Sequence, residues 1–203
     1  MSKIVLTSNG FFTDRIKQQF LQSIDNHVMK AKATIITTGS HQKQYNMFAM
    51  KAKEDLVKMG INQVDFMDVE FDFPERLKQY NVIYLNGGNP FHLLYHMKKS
   101  GADLIVKDLA EQNTVFVGVS AGAIILGPNI DVVNHFTPQL NSVDMKNLAG
   151  LGLTDIAVFP HYDREDLFPN TAGKSIEDRL KEFEHINECS VVRLKDDESI
   201  FIQ

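Results

Sequence analysis

Thr114-Val-Phe-Val-Gly118-Val-Ser120-Ala-Gly122-Ala-Ile-Ile-Leu-Gly127 is the stretch that decides the fold. Its first half is a short β-branched and aromatic run, the composition of a strand buried on both faces. Its second half is small and apolar and begins at Ser120, as a helix start would. A strand running straight into a helix through small residues is the repeating unit of a parallel sheet with crossover connections.

The rest of the chain repeats that alternation. Strands are expected at 3–8 (KIVLTS), 33–38 (ATIITT), 63–67, 82–85 (VIYL), 114–118 and 155–159 (DIAVF). Helices are expected at 13–30, 45–59, 91–99, 104–112 and 175–185, with Ser100-Gly101 separating two of them. Residues 189–194 and 199–202 are expected to close the chain as a hairpin. No repeat or linker breaks the pattern, so residues 1–203 read as a single α/β domain: a three-layer arrangement with a mostly parallel sheet and helices on both faces.

Composition narrows the class. The 203 residues are 43% hydrophobic and 23% charged, with net charge −5 and no block of five like charges, which excludes a disordered chain and gives no basic face for nucleic acid. The lone Cys189 cannot form an internal disulfide or a multi-cysteine zinc site. The apolar run at 115–127 falls short of the roughly 20 residues that a membrane-crossing helix needs, and the N-terminal run Ile4-Val5-Leu6 is too short for a signal-peptide core. These readings predict a cytoplasmic protein, engaging neither nucleic acid nor membrane and needing no cofactor or metal.

In parallel sheets ligands bind beyond the carboxyl ends of the strands, so the loops after the strands carry the chemistry. Gly118-Val-Ser120-Ala-Gly122 is a G-x-S-x-G at a strand-to-helix turn, the form of a nucleophile elbow. There a strained serine is exposed, and small neighbours let strand and helix approach. The N–H of Ala121 is expected to face a developing oxyanion. Asn86-Gly-Gly88-Asn89-Pro90 follows another strand. Its glycines suit close backbone approach to a ligand, with the Gly88 N–H as second oxyanion donor, while Asn89 fits both a helix cap and a substrate contact.

A serine nucleophile needs a base, and the base an acid. Of seven histidines, His161 falls directly after the strand DIAVF, in Phe-Pro-His161-Tyr-Asp, where it could reach Ser120. His27, His41 and His185 read as surface residues, and His135, following an extended segment after the elbow, is a minor candidate. His92 and His96 stand i, i+4 on one helix but lack an acidic partner within it, so a packed or solvated face is expected. For the acid, the residues alone leave Asp131, Asp163, Asp196 and Asp197 open.

Three motifs in order, GGN at 87–89, G-x-S-A-G-A at 118–123 and Pro160-His161-Tyr162, resemble the peptidase E and cyanophycinase family of serine peptidases, whose fold is similar to the glutamine amidotransferase-like α/β domains. The resemblance runs from Ser8-Asn9-Gly10 to the Asp196-Asp197-Glu198-Ser199-Ile200 stretch. It implies a Ser–His–acid triad of Ser120, His161 and an acid best matched by Asp196, where relatives usually carry Glu. The stretch matching an acid placed just after the elbow in some relatives, Asn134-His135-Phe136, offers no carboxylate.

The family is similar in cleaving dipeptides with N-terminal aspartate. Ile176 stands where such enzymes tend to carry Arg, and only Arg179 remains nearby. The sequence ends at Gln203, earlier than relatives do, which is expected to trim the sheet edge or leave it for another subunit. The reading is therefore a serine exopeptidase of short peptides, monomer or homodimer. Its alternatives are a hydrolase of another amide or ester on the same scaffold and a catalytically silent binding domain.

Overall fold

Strands β1 (Lys3–Thr7), β2 (Lys32–Ile36), β3 (Gln63–Met67), β4 (Val82–Leu85) and β5 (Val115–Val119) form the parallel part of a six-stranded sheet in the computed structural model, which describes residues 2–24, 28–169 and 173–203. The sheet order is β3-β2-β4-β5-β1-β8, with β8 (Ser199–Ile202) antiparallel to β1 at the edge. β4 and β5 are buried along their whole length because both faces are covered. Alternate residues feed two cores: Ile4, Leu6, Ile83, Leu85 and Phe116 on one face, Val5, Tyr84, Val115 and Val117 on the other.

Helices α1 (Asp14–Ser23) and α2 (Met47–Lys58) send Ile16, Phe20, Ala49, Ala52 and Leu56 into the second core. The first core is covered by α3 (Pro90–Ser100), α4 (Ala102–Ala110), α5 (Ala121–Leu126), α6 (Asp131–Phe136) and α7 (Ile176–Asn187). Their starts are written locally. Thr13, Asn46 and Asn89 accept backbone N–H groups at the starts of α1, α2 and α3, and Ser175 with Asp178 forms a reciprocal capping box on α7. Gly101, at φ 80°, ends α3 and opens α4 without the strain a side chain would add.

Three expectations are corrected. The first helix ends at Ser23 rather than 30, with a short 3₁₀ turn at Val28–Lys30; His27 lies outside the described residues. The extended segment expected before His135 is instead the short helix α6, which buries Val132, Val133 and Phe136.

The closing hairpin does not form. β7 (Val192–Leu194) pairs in parallel with β6 (Val158–Pro160) in a separate two-stranded sheet, while β8 joins β1. Periodicity identifies two adjacent strands but not their partners, and here each finds a long-range one.

This topology gathers one edge. β4, β5 and β1 are neighbours, with Leu85 and Leu6 both opposite Gly118, so the loops after all three open side by side. β8 runs the other way, so its beginning, Ser199 opposite Thr7, lies at that same edge. No helix among the described residues is long and apolar enough to cross a membrane.

Candidate active site

Ser120 leaves β5 with φ 51° and ψ −113°, a conformation that costs any residue with a side chain. The turn is locked from below: the Ser120 N–H donates to the Thr7 carbonyl at 3.0 Å. The flanking glycines are steric requirements. A Cβ on Gly122 would lie 2.1 Å from the Leu85 carbonyl oxygen, and one on Gly118 would lie 2.7 Å from Leu126 Cδ1 and 2.8 Å from Ala123 Cα. Strand β5 and helix α5 can therefore meet only through these residues.

His161 Nε2 lies 3.0 Å from Ser120 Oγ, and His161 Nδ1 lies 2.6 Å from Asp196 Oδ1. His161 too has a positive φ, 59°, so both ends of the Ser–His contact sit on strained backbone. The β6–β7 pairing explains the reach. Pro160 is opposite Leu194, and the chains continue from there into His161 and Asp196. The Lys195–Glu198 turn, closed by a 3.1 Å hydrogen bond from the Glu198 N–H to the Lys195 carbonyl, then presents Asp196 before β8 begins.

Burial pushes the Asp196 carboxyl up, but hydrogen bonds with Ser8 and His161 and the nearby His161 and Arg164 charges more than reverse this, so its pKa falls below the ordinary carboxylate value. Arg164 NH1 stands 3.5 Å from Asp196 Oδ2. The other acids take different places. Asp163 accepts the Asp196 backbone N–H at 3.2 Å, Asp197 is exposed, and the Asp131 carboxyl, raised by burial, lies at the start of α6 with no bond to His161.

Sequence reasoning missed Ser8. Its buried hydroxyl donates to Asp196 Oδ1 at 2.8 Å and accepts the His161 backbone N–H at 2.7 Å. The signal available was its position at the end of the first strand. That this strand lies next to β5 is a fact of topology, not of sequence.

Gly88 and Ala121 border the same cavity as Ser120. Gly88 has φ 134°, and a Cβ there would stand 2.2 Å from the Gly39 carbonyl oxygen, so only glycine fits. Asn89 is committed to structure. Its Oδ1 accepts the N–H groups of Phe91 and His92 at 2.9 and 3.1 Å, and its Nδ2 donates to the Leu140 carbonyl at 2.7 Å. Of the two roles expected for Asn89, the cap is formed; its side chain does not line the cavity.

His92 and His96 do gain an acidic partner, from another element. Glu70 stands 3.3 Å from His92 Nε2 and 3.7 Å from His96 Nε2, and the three ligand atoms lie within 4.8 Å of one another. Lys43 already holds Glu70 at 2.6 Å and Asp68 at 3.0 Å, placing an ammonium where a metal's charge would fall. His41 lies near His92, His135 packs on Phe183, and His185 is exposed.

A serine, an imidazole and a carboxylate in hydrogen-bonded sequence let the imidazole accept the hydroxyl proton while the carboxylate fixes its tautomer. The model of peptidase family S51 matches residues 4–203. The chain belongs to peptidase family S51.

This family member is a serine-type peptidase. It is 26% identical over 207 residues to an uncharacterized peptidase of Listeria monocytogenes, covering 100% of this chain and 95% of the relative. It is 25% identical over 160 residues to peptidase E of Shewanella amazonensis, covering 78% of this chain and 66% of that enzyme. Among solved structures, a candidate peptidase E protein from Listeria monocytogenes matches with TM-score 0.74 and 27% identity, over 100% of this chain and 94% of that one. A peptidase from an actinobacterium matches with TM-score 0.72 at 15% identity, which speaks to the fold alone.

Proposed function

We propose that this S51 peptidase is a serine exopeptidase of short peptides. The observation that carries the reading is the 3.0 Å contact of Ser120 Oγ with His161 Nε2, continued at 2.6 Å from Nδ1 to Asp196, on a serine held at positive φ. Ser120 attacks the scissile carbonyl while His161 takes its proton. The tetrahedral intermediate's oxygen is met by the Gly88 and Ala121 N–H groups, and the Ser120 N–H, bonded to Thr7, is not among them.

As the intermediate collapses, His161 gives the proton to the leaving amine. A water, deprotonated by the same imidazole, then releases the acyl group and restores Ser120. Asp196 holds Nδ1 protonated and compensates the imidazolium; Ser8 holds Asp196 and the His161 backbone in register. The restriction to short peptides is supported by the size of the two cavities that meet at Ser120, about 270 and 420 Å³, each the scale of one or two residues.

The test is hydrolysis of a dipeptide panel by the wild type, Ser120→Ala and His161→Ala. Release of the first residue by the wild type, abolished in both variants, supports the reading. Undiminished turnover in Ser120→Ala overturns it.

A further inference from the structure

The two cavities flanking Ser120 differ in chemistry. The smaller is walled by Ile124, Val133, Phe136, Phe159, Leu167 and Phe168 with the neutral Thr137 and Gln139, and among the described residues no lysine, arginine, aspartate or glutamate lines it. The larger adds the charged and amide side chains of Asn9, Asn46, Asn86, Arg164 and Asp196 to the apolar Phe48, Val119 and Leu167. Ala121 borders only the apolar one, whereas Asp196, behind the imidazole, borders only the polar one.

From this we infer that the apolar cavity receives the side chain of the residue whose carbonyl Ser120 attacks, and that this residue is aliphatic or aromatic, not acidic. The inference rests on the serine-peptidase reading and specifies its substrate. In the proposed pose the carbonyl oxygen is held by the Gly88 and Ala121 N–H groups and its acyl substituent enters the cavity that Ala121 borders. The leaving amine then lies on the other, polar side, within reach of the proton on His161 Nε2. A volume of about 270 Å³ accommodates a leucine or phenylalanine side chain.

The cation that could invite an acidic side chain is turned away. Arg179 is not among the lining residues; its guanidinium lies 4.0 Å from the Phe136 ring centroid. Its NH1 donates to the Phe168 carbonyl at 3.0 Å and its NH2 to the Phe136 carbonyl at 3.3 Å. Both aromatic walls are thus tied to one arginine, which gives two of its five N–H donors to their backbone carbonyls. Ile176, one turn earlier on α7, is buried in the core. An aspartate side chain entering the cavity would lose its water and meet no cationic side chain among the described lining residues, only the neutral Thr137 and Gln139.

The experiment measures kcat/KM for Leu-Ala, Phe-Ala, Gly-Ala and Asp-Ala, and for Ala-Leu and Ala-Asp, by the wild type and Phe168→Ala. Reaction of Ser120 with a fluorophosphonate is followed in parallel. Leu-Ala or Phe-Ala should exceed Asp-Ala by about 100-fold, the scale of discrimination an apolar pocket provides. Phe168→Ala should lower Phe-Ala turnover about 10-fold through KM, a larger loss than it causes for Gly-Ala.

Asp-Ala cleaved as well as Leu-Ala, or selectivity residing in the second residue, overturns the assignment. So does labelling of Ser120 with no hydrolysis of any X-Ala dipeptide, which leaves the nucleophile standing. Absence of both labelling and hydrolysis overturns the serine-peptidase reading, and this inference with it.

Discussion

Pro160 stands opposite Leu194 in the two-stranded sheet, and that one pairing brings the histidine one residue beyond the first to the aspartate two residues beyond the second. The 2.6 Å contact of His161 Nδ1 with Asp196 is therefore a property of strand register rather than of the loops alone. Slipping the register by one residue would turn every side chain on β7 to the opposite face. The β6–β7 sheet is the device that sets Asp196 beside His161.

Asp196→Asn should lower kcat by about 10³–10⁴-fold, because an amide at that position favours the wrong imidazole tautomer. Asp131→Asn, at the start of α6, should change kcat less than about twofold. Steady-state kinetics on one dipeptide separates the two, and the reverse ranking would move the acid to the start of α6.

Ser8→Ala removes one hydrogen bond to Asp196 and leaves the His161 N–H without its acceptor, while filling the same space. The expected result is a fall of about 10–100-fold in kcat, since small misplacements at a reacting centre cost that much, with KM within about twofold. A change in KM alone would place Ser8 in substrate binding instead.

Gly122→Ala should leave little folded protein, because the added Cβ would sit 2.1 Å from a backbone oxygen of β4 that cannot yield without shifting the strand. The penalty should exceed about 3 kcal/mol, larger than typical overpacking. Thermal unfolding of the purified variant, or its failure to accumulate as soluble protein, is the check; a melting temperature within a few degrees of wild type would contradict the account of the elbow.

Arg193 ties β7 to α7. Its guanidinium bonds Glu184 at 2.6 and 3.0 Å and Glu177 at 3.0 Å, and hydrogen bonds from it are the first cause holding both carboxyls below the ordinary glutamate range. A lowered folded-state pKa means the stabilisation is present above the unfolded value, about 4.3, and is lost as pH falls through the folded ones. Arg193→Ala should cost about 2 kcal/mol at neutral pH and flatten the decline of stability below pH about 4.3. Denaturant unfolding across pH reads both; a parallel decline in the variant would show that other acids dominate.

Much of this site is written locally, and the rest is not. The elbow is readable because Gly118, Ser120 and Gly122 meet a steric demand within five residues, and His161 because a strand and a proline precede it. Asp196 required the family resemblance, since an aspartate pair in a turn carries no sign of the strand that will place it. Ser8 and Glu70 were invisible for the same reason: their partners lie 153 and 22 residues away. The mistaken hairpin at 189–202 shows the limit most plainly. Two strands close in sequence were given to each other, whereas burial on both sides of β1 and β6 gave them to separate sheets.

The most direct test of the central claim is intact-protein and peptide mass spectrometry after reaction with a fluorophosphonate. The account predicts a single adduct on Ser120, formed slowly or not at all in His161→Ala, because the hydroxyl reacts only when the imidazole takes its proton. An adduct on another residue, or none on the folded wild type, would contradict it.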